Sequence, residues 1–534
     1  MKSLLILLIT TIILVIWPLI TPGFLPTHDG EFHIIRFWQF DKMLSVGQWF
    51  PRWAPDLNSG YGVPLFTFYY PFPNYIGVLF HRLGASYPDA VKFSLGLGYM
   101  VGTIACFLWL RKIFDAKSAI AGAIIFATVP YILVNIYVRG SLGEVWALVF
   151  FMTALIGLER PCHTFLIAIS VASMILSHNI SAVLFLPILF GYALLRSQKS
   201  LLWIIFGVGL SAFFWIPAIF EQKYVMGLSN FDYRDHFPLI PQLIFPSWGT
   251  GFSGPGWMYD EFSQQIGLTS IAMVLITFLF IWKEPRKDLK KLVLYFLVVF
   301  FLSIFFMLEI SIPIWNTIWP LRYIQYPWRL LLLVIITSGF FGAYISSKMQ
   351  KQILLFGICL IGLFIIWPYI HPVKYVSRDD NYYLSRREFT DGTTTVGNSF
   401  STRWSDWKKE RAKEKIEIIN GSAQIFNATI KPTDYQFSVL AETASIIAIN
   451  TLYYPGWIVK VDSLDALIDY KKDGIIKFLV PIGNHVARVY FAETPLRILA
   501  HFISLLSLFW IIGSAILEKV YEHRDRYHSN AQRA

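Results

Sequence analysis

Residues 3–33 read SLLILLITTIILVIWPLITPGFLPTHDGEFH, and this stretch decides the fold class. Its first part, residues 4–20, is an apolar run long enough to cross a bilayer. No small-residue cleavage site follows, which predicts a retained signal anchor. A polar cluster follows instead, formed by His28, Asp29, Glu31 and His33. Charged groups are costly beside lipid, so this cluster is the first candidate for a functional site.

The composition of the chain is that of a polytopic membrane protein. Of its 534 residues, 55% are hydrophobic and only 15% are charged, which excludes an ordinary soluble protein. Because basic residues collect on cytoplasmic loops, the net charge of +11 does not indicate a nucleic-acid partner, and we expect none. Cys106, Cys162 and Cys359 lie in or beside apolar segments, which predicts neither a disulfide framework nor a cysteine metal site.

About twelve apolar runs are candidates for membrane spans. They lie at 3–20, 88–110, 118–135, 141–158, 163–177, 180–195, 201–218, 266–282, 291–309, 327–346, 352–369 and 497–517. If the N-terminus is cytoplasmic, every inward loop is basic and the short outward loops are nearly free of Lys and Arg, as the positive-inside rule requires. The inward loops carry Arg111, Lys112, Lys117, Arg160, Arg196, Lys199, Lys283, Arg286, Lys287, Lys290, Lys291, Lys348 and Lys351. We therefore expect a plasma-membrane protein with both termini in the cytoplasm and a basic tail at 518–534.

The same topology brings polar residues from distant parts of the chain to one membrane face. A membrane domain is predicted over 1–369, with outer loops at 21–66 and 219–265. Residues 30–46 have the apolar spacing of an amphipathic helix on the membrane surface. The polar residues at the outer ends of other spans are Arg139, Glu144, His178, Asn179, Arg322, Gln325 and Arg329. Their convergence predicts an active face outside the cytoplasm.

Residues 370–496 differ from the membrane domain in composition and pattern. Apolar and polar residues alternate in several short runs, such as 435–440 (YQFSVL) and 485–491 (HVARVYF). This period of two, with turns rich in proline and glycine, is typical of antiparallel strands. The pattern predicts an extracytoplasmic β-sandwich domain before the last span at 497–517.

Short motifs spread along the chain carry a family resemblance. They are His28-Asp29-Gly30-Glu31-x-His33, Phe50-Pro51-Arg52-Trp53, Gly60-Tyr61-Gly62, Tyr69-Tyr70-Pro71-x-Pro73, Pro130-Tyr131, Arg139-Gly140-x-x-x-Glu144, Ser177-His178-Asn179, Gln325-Tyr326-Pro327-Trp328-Arg329, Tyr453-Tyr454-Pro455-Gly456-Trp457 and Val480-Pro481-x-Gly483-x-His485. On these motifs the chain resembles the membrane proteins described as 6-pyruvoyl-tetrahydropterin synthase related, akin to the YfhO-like family. Both resemble the C-type (GT-C) integral-membrane glycosyltransferases. No pterin ligand is expected, because the chain offers no three-histidine zinc site with convincing spacing.

The glycosyltransferase resemblance implies a fold and a reaction. Such enzymes take a sugar from a polyprenyl-phosphate-linked donor on the outer membrane face, here for a cell-envelope lipid, polymer or protein acceptor. The resemblance implies that a carboxylate of the first outer loop acts as the base or binds metal. That position falls on Asp29, with Glu31 second. The cofactor stays open, and a divalent metal held by His28, Asp29 and His33 is one option.

The residue types themselves suit this chemistry. A carboxylate such as Asp29 can take the proton of an acceptor hydroxyl. Arginine grips phosphate in bidentate fashion, which makes Arg139, Arg322 and Arg329 candidate phosphate ligands. Further candidates for substrate binding are His33, Glu144, His178, Asn179 and Gln325. Structural roles compete with these: a helix N-cap for Asp29, ion pairs with Glu144 for the arginines, and a cap at a span end for His178.

Two other functions stay open at the level of the sequence. A transporter or flippase of an envelope precursor would show charges near mid-membrane and broken helices in related halves. The polar residues cluster at one face instead, and no inverted repeat is visible. A non-catalytic envelope assembly factor would use the outer β-domain to bind a partner. Of the three functions, the pattern favours the enzyme.

Overall fold

The computed structural model describes residues 2–159, 164–227, 232–254, 261–349, 352–372, 374–405 and 410–531. Its α-helices, in chain order, are α1 (Lys2–Ile20), α2 (Gly30–Ser45), α3 (Leu65–Phe68), α4 (Phe72–Arg82), α5 (Tyr87–Leu110), α6 (Ala116–Ala127), α7 (Pro130–Leu133), α8 (Leu142–Leu158), α9 (Thr164–Ser177), α10 (Asn179–Arg196), α11 (Leu201–Leu210), α12 (Ala212–Phe220), α13 (Ile240–Ile244), α14 (Leu268–Ile281), α15 (Lys287–Met307), α16 (Ile312–Thr317), α17 (Trp319–Arg322), α18 (Leu331–Ser346), α19 (Gln352–Ile366), α20 (Asp380–Leu384) and α21 (Pro495–Ala531). Some sequence predictions lie outside the described residues: Arg160, Cys162, Lys351, parts of the second outer loop (228–231 and 255–260) and the side chains of the basic tail.

Among the described residues, six helices are long and apolar enough to cross a membrane, and two bent helix pairs bring the number to as many as eight. The six are α1, α5, α10, α15, the segment Pro327–Ser346 that includes α18, and the segment Pro495–Ile516 of α21. The bent pairs are Ala116–Ala127 with Pro130–Val138, at 55°, and Gln198–Leu210 with Ala212–Phe220, at 65°. A helical, membrane-like protein is thus confirmed.

The expected count of about twelve spans is not confirmed among the described residues. Four of the expected spans form apolar helices of 10–17 residues: Leu142–Leu158, Phe165–Ser177, Leu268–Ile281 and Phe356–Tyr369. These helices are shorter than the roughly 20 residues that a straight span needs. Hydropathy counts apolar residues but does not reveal where a helix bends or ends, which explains the difference.

The segment Pro327–Ser346 is the most enclosed of the long helices, and all of its residues are buried inside the protein. It packs against α6 through small residues. A Cβ atom at Gly122 would lie 2.5 Å from the carbonyl oxygen of Gly339, closer than real contacts allow. Glycine at this crossing therefore lets the two backbones approach. This packing fixes the first turn of the segment, which carries Arg329.

Helix α2 carries the first candidate site and is covered by protein. The sequence predicts a helix at 30–46 on the membrane surface, and the helix observed is Gly30–Ser45. Its residues Ile34, Phe37 and Phe40 are fully buried, and the helix packs against α4 and α5. Burial of this kind holds the helix rigidly, which a helix floating on lipid would not achieve.

The region before the last helix forms antiparallel β-sheets. Its strands are β1 (Ile416–Asn420), β2 (Ala423–Lys431), β3 (Asp434–Ala441), β4 (Ser445–Leu452), β5 (Trp457–Val461), β6 (Leu464–Asp465), β7 (Ile475–Val480) and β8 (Gly483–Phe491). One sheet has the order β1-β4-β7 and the other β2-β3-β8-β5-β6. The hydroxyls of Tyr435 in β3 and Thr451 in β4 are 3.0 Å apart and join the two sheets. The β-sheet region is thereby confirmed, and the complete sandwich stays a prediction.

The segment 374–405 folds back onto the outer loops. Val376 pairs with Phe24 in an antiparallel bridge. The backbone N–H of Gly227 donates to the carbonyl of Ser399 at 2.8 Å. Part of the predicted outer domain is therefore joined to the first and second outer loops, and it brings residues 394–400 beside them.

Candidate active site

Backbone pairing between two distant segments positions the polar cluster. The N–H of His28 donates to the carbonyl of Val138 at 3.0 Å, and the N–H of Asp29 donates to the carbonyl of Arg139 at 2.9 Å. These two bonds tie the start of α2 to the segment before α8. They place the Asp29 backbone directly beside that of Arg139.

The segment before α8 is shaped for this approach. Residues Val134–Val138 form a π-helical turn, a distortion that often occurs at functional sites. Gly140 follows with a φ of 64°, a left-handed conformation that glycine adopts without strain. A Cβ atom at Gly140 would lie 2.1 Å from the Thr27 Oγ1. Glycine is therefore required here for the two segments to meet.

Asp29 stands just before α2, but its carboxylate does not cap the helix. The Thr27 Oγ1 accepts the hydrogen bond from the Gly30 N–H, at 3.1 Å, while the Asp29 side chain makes no cap bond. Within the described ranges, the Asp29 carboxylate has no hydrogen bond or ion pair. Asp29 therefore occupies the N-cap position without capping the helix through its side chain, and the carboxylate is available to a ligand.

Glu144 holds two arginines in the interior. Its Oε2 accepts from Arg139 Nη1 at 2.6 Å, and its Oε1 accepts from Arg329 Nε at 3.0 Å. The Tyr131 hydroxyl donates to Oε2 at 3.1 Å. Glu144 is 0% exposed, and the arginines are 4% and 7% exposed. The ion pairs proposed as a structural alternative do form, but two positive charges share one negative charge.

The site cluster, defined as Arg139, Arg329 and Glu144, keeps an excess of one positive charge. Arg139 lies over the ring of Trp328, 4.7 Å from its centroid, and Arg329 lies over Tyr326 at 4.8 Å. Aromatic faces favour a cation without neutralising it. The described hydrogen bonds of Arg139 all use Nη1, so its other N–H donors are available to an anion.

Arg36 is a third arginine at the site, two turns beyond Asp29 along α2. Its Nη1 donates to the Tyr69 hydroxyl at 2.5 Å, its Nε donates to Thr394 Oγ1 at 3.3 Å, and its Nη2 donates to the Thr394 carbonyl. The Tyr69 and Tyr70 hydroxyls are 2.6 Å apart. These contacts form a continuous polar wall between α2 and the segment 374–405.

His28 and His33 lie in different surroundings. The His28 Nε2 is 3.0 Å from the Thr250 carbonyl, and its ring stacks on Phe252 at 4.3 Å. Burial, with the charge of Arg139, lowers the pKa of His28. His33 is 1% exposed, and burial, with the neighbouring charge of Arg36, holds its pKa well below the usual value. Both rings are therefore neutral near pH 7.

These histidines do not form a metal site with Asp29. Across the residues that the structure describes, no group of three or more His, Cys, Asp or Glu side chains is placed to hold a metal ion. His28 faces a carbonyl, and His33 lies in the interior with Nε2 unpaired among the described residues. The described structure does not bring together the donor set that the sequence offered, His28, Asp29 and His33.

His178 combines a structural role with a position at the site. Its Nδ1 accepts from the Ser181 N–H at 3.1 Å and so caps α10. The neutral ring then carries its proton on Nε2. The ring also meets Tyr70 edge to face, with centroids 5.0 Å apart. The cap proposed from the sequence is confirmed, and the residue lines the cavity as well.

The other predicted site residues divide into two groups. Asn179 and Gln325 line the cavity, and Gln325 accepts from Arg329 Nη1 at 2.8 Å. Glu31 instead accepts from Arg378 Nη1 at 2.6 Å. Arg322 donates to the Asn316 carbonyl at 2.5 Å. Neither Glu31 nor Arg322 is among the residues that line the cavity.

A cavity of about 850 Å³ joins these groups. Its polar part is lined by Asp29, Arg36, Tyr69, Tyr70, Arg139, His178 and Arg329, and residues of the segment 374–405 (Thr394, Thr395, Ser399 and Phe400) lie beside them. Its apolar part runs along α10, α11 and α12 and is lined by Ile180, Val183, Leu186, Val208, Trp215 and Ile219. This division suits an amphiphile with an anionic head group and an apolar chain.

Sequence patterns do not single out Arg36, Tyr70 or Thr394 as site residues. The position of Arg36, seven residues after Asp29, is a usable signal, because two helical turns return to the same face. The tyrosines belong to a broken aromatic run at 65–84 that the sequence predicts to be an interfacial or re-entrant element. Thr394 lies in an irregular segment with no periodic signal, and only the fold brings it to the cavity.

These helices and this cavity define a helical, membrane-like protein with a large cavity that has a polar part and an apolar part. The chain belongs to the family described as the 6-pyruvoyl-tetrahydropterin synthase related domain, a membrane protein family, which matches residues 66–373. The family resemblance carried by the motifs is thereby confirmed. The match begins beyond the segment that carries Asp29 and Arg36.

One relative and several solved structures are similar to the chain. An uncharacterized protein of Lactococcus lactis subsp. cremoris is 25% identical over 250 residues, which are 42% of this chain and 41% of that protein. This chain therefore covers less than half of that relative.

The similar solved structures are C-type membrane glycosyltransferases. The oligosaccharyltransferase AglB of Archaeoglobus fulgidus, in complex with an inhibitory peptide and a dolichol-phosphate, is 13% identical with a TM-score of 0.41, over 69% of this chain and 54% of that one. Arabinofuranosyltransferase AftD from Mycobacteria is 15% identical with a TM-score of 0.43, over 71% and 27%. ArnT from Cupriavidus metallidurans, bound to undecaprenyl phosphate, is 14% identical with a TM-score of 0.39, over 68% and 63%.

Proposed function

We propose that this protein is a membrane glycosyltransferase that moves a sugar from a polyprenyl-phosphate-linked donor to a cell-envelope lipid, polymer or protein. One observation carries the proposal. The carboxylate of Asp29, which has no partner among the described residues, lines the same cavity as two arginines that share a single carboxylate. A base and an excess of positive charge are the two groups that glycosyl transfer from a phosphate requires.

The donor occupies both parts of the cavity in this proposal. Its phosphate binds Arg139 and Arg329, whose guanidinium groups are suited to bidentate contacts with oxyanions. Its polyprenyl chain follows the apolar side chains of α10, α11 and α12. Burial of the chain there is favourable at about 25 cal/mol per Å². Asn179, Gln325 and His178 line the space between and are the proposed sugar contacts.

The proposed reaction is a single displacement. The Asp29 carboxylate takes the proton from the acceptor hydroxyl, and the acceptor oxygen forms a bond to the anomeric carbon of the sugar. The bond from that carbon to the phosphate oxygen breaks, and its electron pair leaves with the polyprenyl phosphate. The arginines stabilise the charge that develops on the departing phosphate. By analogy with the resemblance, we expect inversion at the anomeric carbon.

The remaining sequence-based roles are adjusted in this proposal. Glu31 is engaged by Arg378, which leaves Asp29 as the sole proposed base. Glu144 positions the two arginines and does not itself contact the substrate. Following the basic inner loops, we place the protein in the plasma membrane with cytoplasmic termini and the cavity on the extracytoplasmic side.

The proposal is tested in a strain that lacks the protein. The strain is complemented with wild type, Asp29→Asn or Glu31→Gln, and envelope lipids and glycans are compared by mass spectrometry. We expect wild type and Glu31→Gln to restore a missing glycosylated species, and Asp29→Asn not to restore it at equal membrane abundance. Full restoration by Asp29→Asn would refute the enzyme and favour the transporter or the assembly factor.

A further inference from the structure

Arg36 is a buried cation with no ion pair to any described acidic side chain. It is 4% exposed, and its contacts are neutral: the Tyr69 hydroxyl, the Thr394 hydroxyl and the Thr394 carbonyl. Within the described ranges, no carboxylate pairs with it. A desolvated charge without a counter-ion is costly, and a bound anion would offset that cost.

Hydrogen-bond donors remain on this wall of the cavity. A guanidinium has five N–H donors, and the described contacts of Arg36 use one on each of its three nitrogens. Tyr69 and Tyr70 share one hydrogen bond between their hydroxyls. One O–H proton of the pair therefore has no acceptor among the described residues, whichever phenol donates. Burial raises the pKa of Tyr70 well above its usual value, which keeps the phenol protonated.

The wall is separate from the site cluster in its contacts. Arg139 and Arg329 are joined through Glu144, whereas Arg36 is bound to the segment 374–405. Thr394 has a φ of 57°, which is unusual for a β-branched residue. Strained residues persist where surrounding contacts hold them, often at ligand sites. The cavity lining therefore carries positive charge at two separate positions, one at Arg139 and Arg329 and the other at Arg36.

We propose that Arg36, Tyr69 and Tyr70 form a second oxyanion subsite, which binds a phosphate or carboxylate in addition to the phosphate at Arg139 and Arg329. This inference rests on the proposed function and extends it to the class of substrate. Either the donor is a diphosphate, or the acceptor carries an anionic group. A neutral acceptor with a monophosphate donor would leave Arg36 without a role.

The test measures equilibrium binding to the full-length protein in phosphatidylcholine nanodiscs by calorimetry. One arm titrates glycerol phosphate and glucuronate, with neutral glycerol and methyl glucoside as controls, before and after saturation with undecaprenyl phosphate. The other arm compares undecaprenyl diphosphate with undecaprenyl monophosphate. In at least one arm, we expect Arg36→Gln to lower the affinity for the anionic probe by about tenfold or more, since the loss of a hydrogen bond to a charged group costs about that much in binding.

Two comparisons keep the outcome decisive. Arg386→Gln is the matched control, because that arginine is not among the residues that line the cavity, so binding of the anionic probe should persist. Undecaprenyl monophosphate should bind to Arg36→Gln as tightly as it binds to wild type. The subsite is refuted if Arg36→Gln changes neither arm, if the neutral probes bind equally well, or if Arg36→Gln abolishes monophosphate binding as well. Because no turnover is measured, the subsite and the glycosyltransferase proposal can fail separately.

Discussion

Two clusters of arginine and carboxylate among the described residues differ in charge balance. The site cluster has two cations for one anion, and its arginines line the cavity. The junction cluster, defined as Arg52, Glu221, Glu493 and Arg497, has two of each, and none of its members lines the cavity. The charges of the junction cluster are matched within the cluster, whereas the site cluster retains one cation that a bound anion would offset.

The junction cluster is satisfied by protein alone. Arg497 is 0% exposed, and its Nε and Nη2 each donate to a different oxygen of Glu221 at 2.9 Å. Nη2 also donates to the Pro455 carbonyl at 2.8 Å. The Tyr454 hydroxyl donates to Glu221 at 2.7 Å. These contacts join the end of α12, the β-sheet region and the start of α21, which is a structural task.

The largest expected effect is on turnover and concerns Asp29. Replacing it with Asn removes the base and keeps the shape, so the rate of transfer by purified protein should fall by about 10²–10⁴-fold. Glu31→Gln is the matched control. Its rate of transfer should stay within about threefold of the wild-type rate, because the Glu31 carboxylate is paired with Arg378. A normal rate for Asp29→Asn would contradict the assignment of the base.

The next effect is on stability and concerns the junction cluster. Arg497→Gln leaves the buried Glu221 without its cation, which should cost about 3–5 kcal/mol of folding free energy. A thermal-shift measurement in detergent reports the loss. Arg386→Gln is the control, because the contacts of that arginine are exposed: it pairs with Glu388 and lies over the Tyr382 ring, 4.1 Å from its centroid. Exposed ion pairs contribute little to stability. Equal stability of Arg497→Gln and wild type would refute a structural role for the junction cluster.

Replacing an arginine of the site cluster should have the opposite effect: the rate of transfer should fall, and stability should change little. Arg329→Gln leaves Glu144 paired with Arg139, so the thermal transition should stay close to that of wild type. The rate of transfer should fall by about 10²–10³-fold, as for loss of one group that stabilises developing charge. If Arg329→Gln destabilises the protein as much as Arg497→Gln does, the distinction between the two clusters is lost.

The smallest effect is a dependence of stability on pH at the junction. Burial alone would raise the pKa of Glu493, but His501 and the charge of Arg52 bring it down to about 2. An unfolded glutamate titrates near 4.3, so the contribution of this carboxylate is complete above that pH and is lost as pH falls toward 2. The stability difference between wild type and Glu493→Gln should therefore shrink from pH 6 to pH 3. A difference that grows with acidity would contradict the pairing of Glu493 with Arg52.

The membrane fold was largely predictable, because it depends on long apolar runs and on the charge of short loops. The bends were not predictable from hydropathy. The pair Ala116–Ala127 and Pro130–Val138 turns by 55° at a proline that cannot continue the helical hydrogen bonding. The alternation in 424–491 correctly predicted strands, because residues of one face recur every second position.

The candidate site was predictable in part. Asp29, Arg139 and Arg329 were grouped on one face because each lies at the end of an apolar run. The contact between Asp29 and Arg139 depends on backbone bonds between 28–29 and 138–139, which leave no pattern in the sequence. Thr394 contacts Arg36, which lies more than 300 residues earlier in the chain. No local sequence pattern predicts a contact between residues so far apart.

The most direct test of the central claim is a cryo-EM structure of the full-length protein in nanodiscs with undecaprenyl phosphate. The claim is that the unbalanced site cluster binds the phosphate of a polyprenyl carrier beside Asp29. We predict that the phosphate lies within about 3 Å of a nitrogen of Arg139 or Arg329, with the chain along α10, α11 and α12. Carrier bound with its phosphate outside this cavity would contradict the claim.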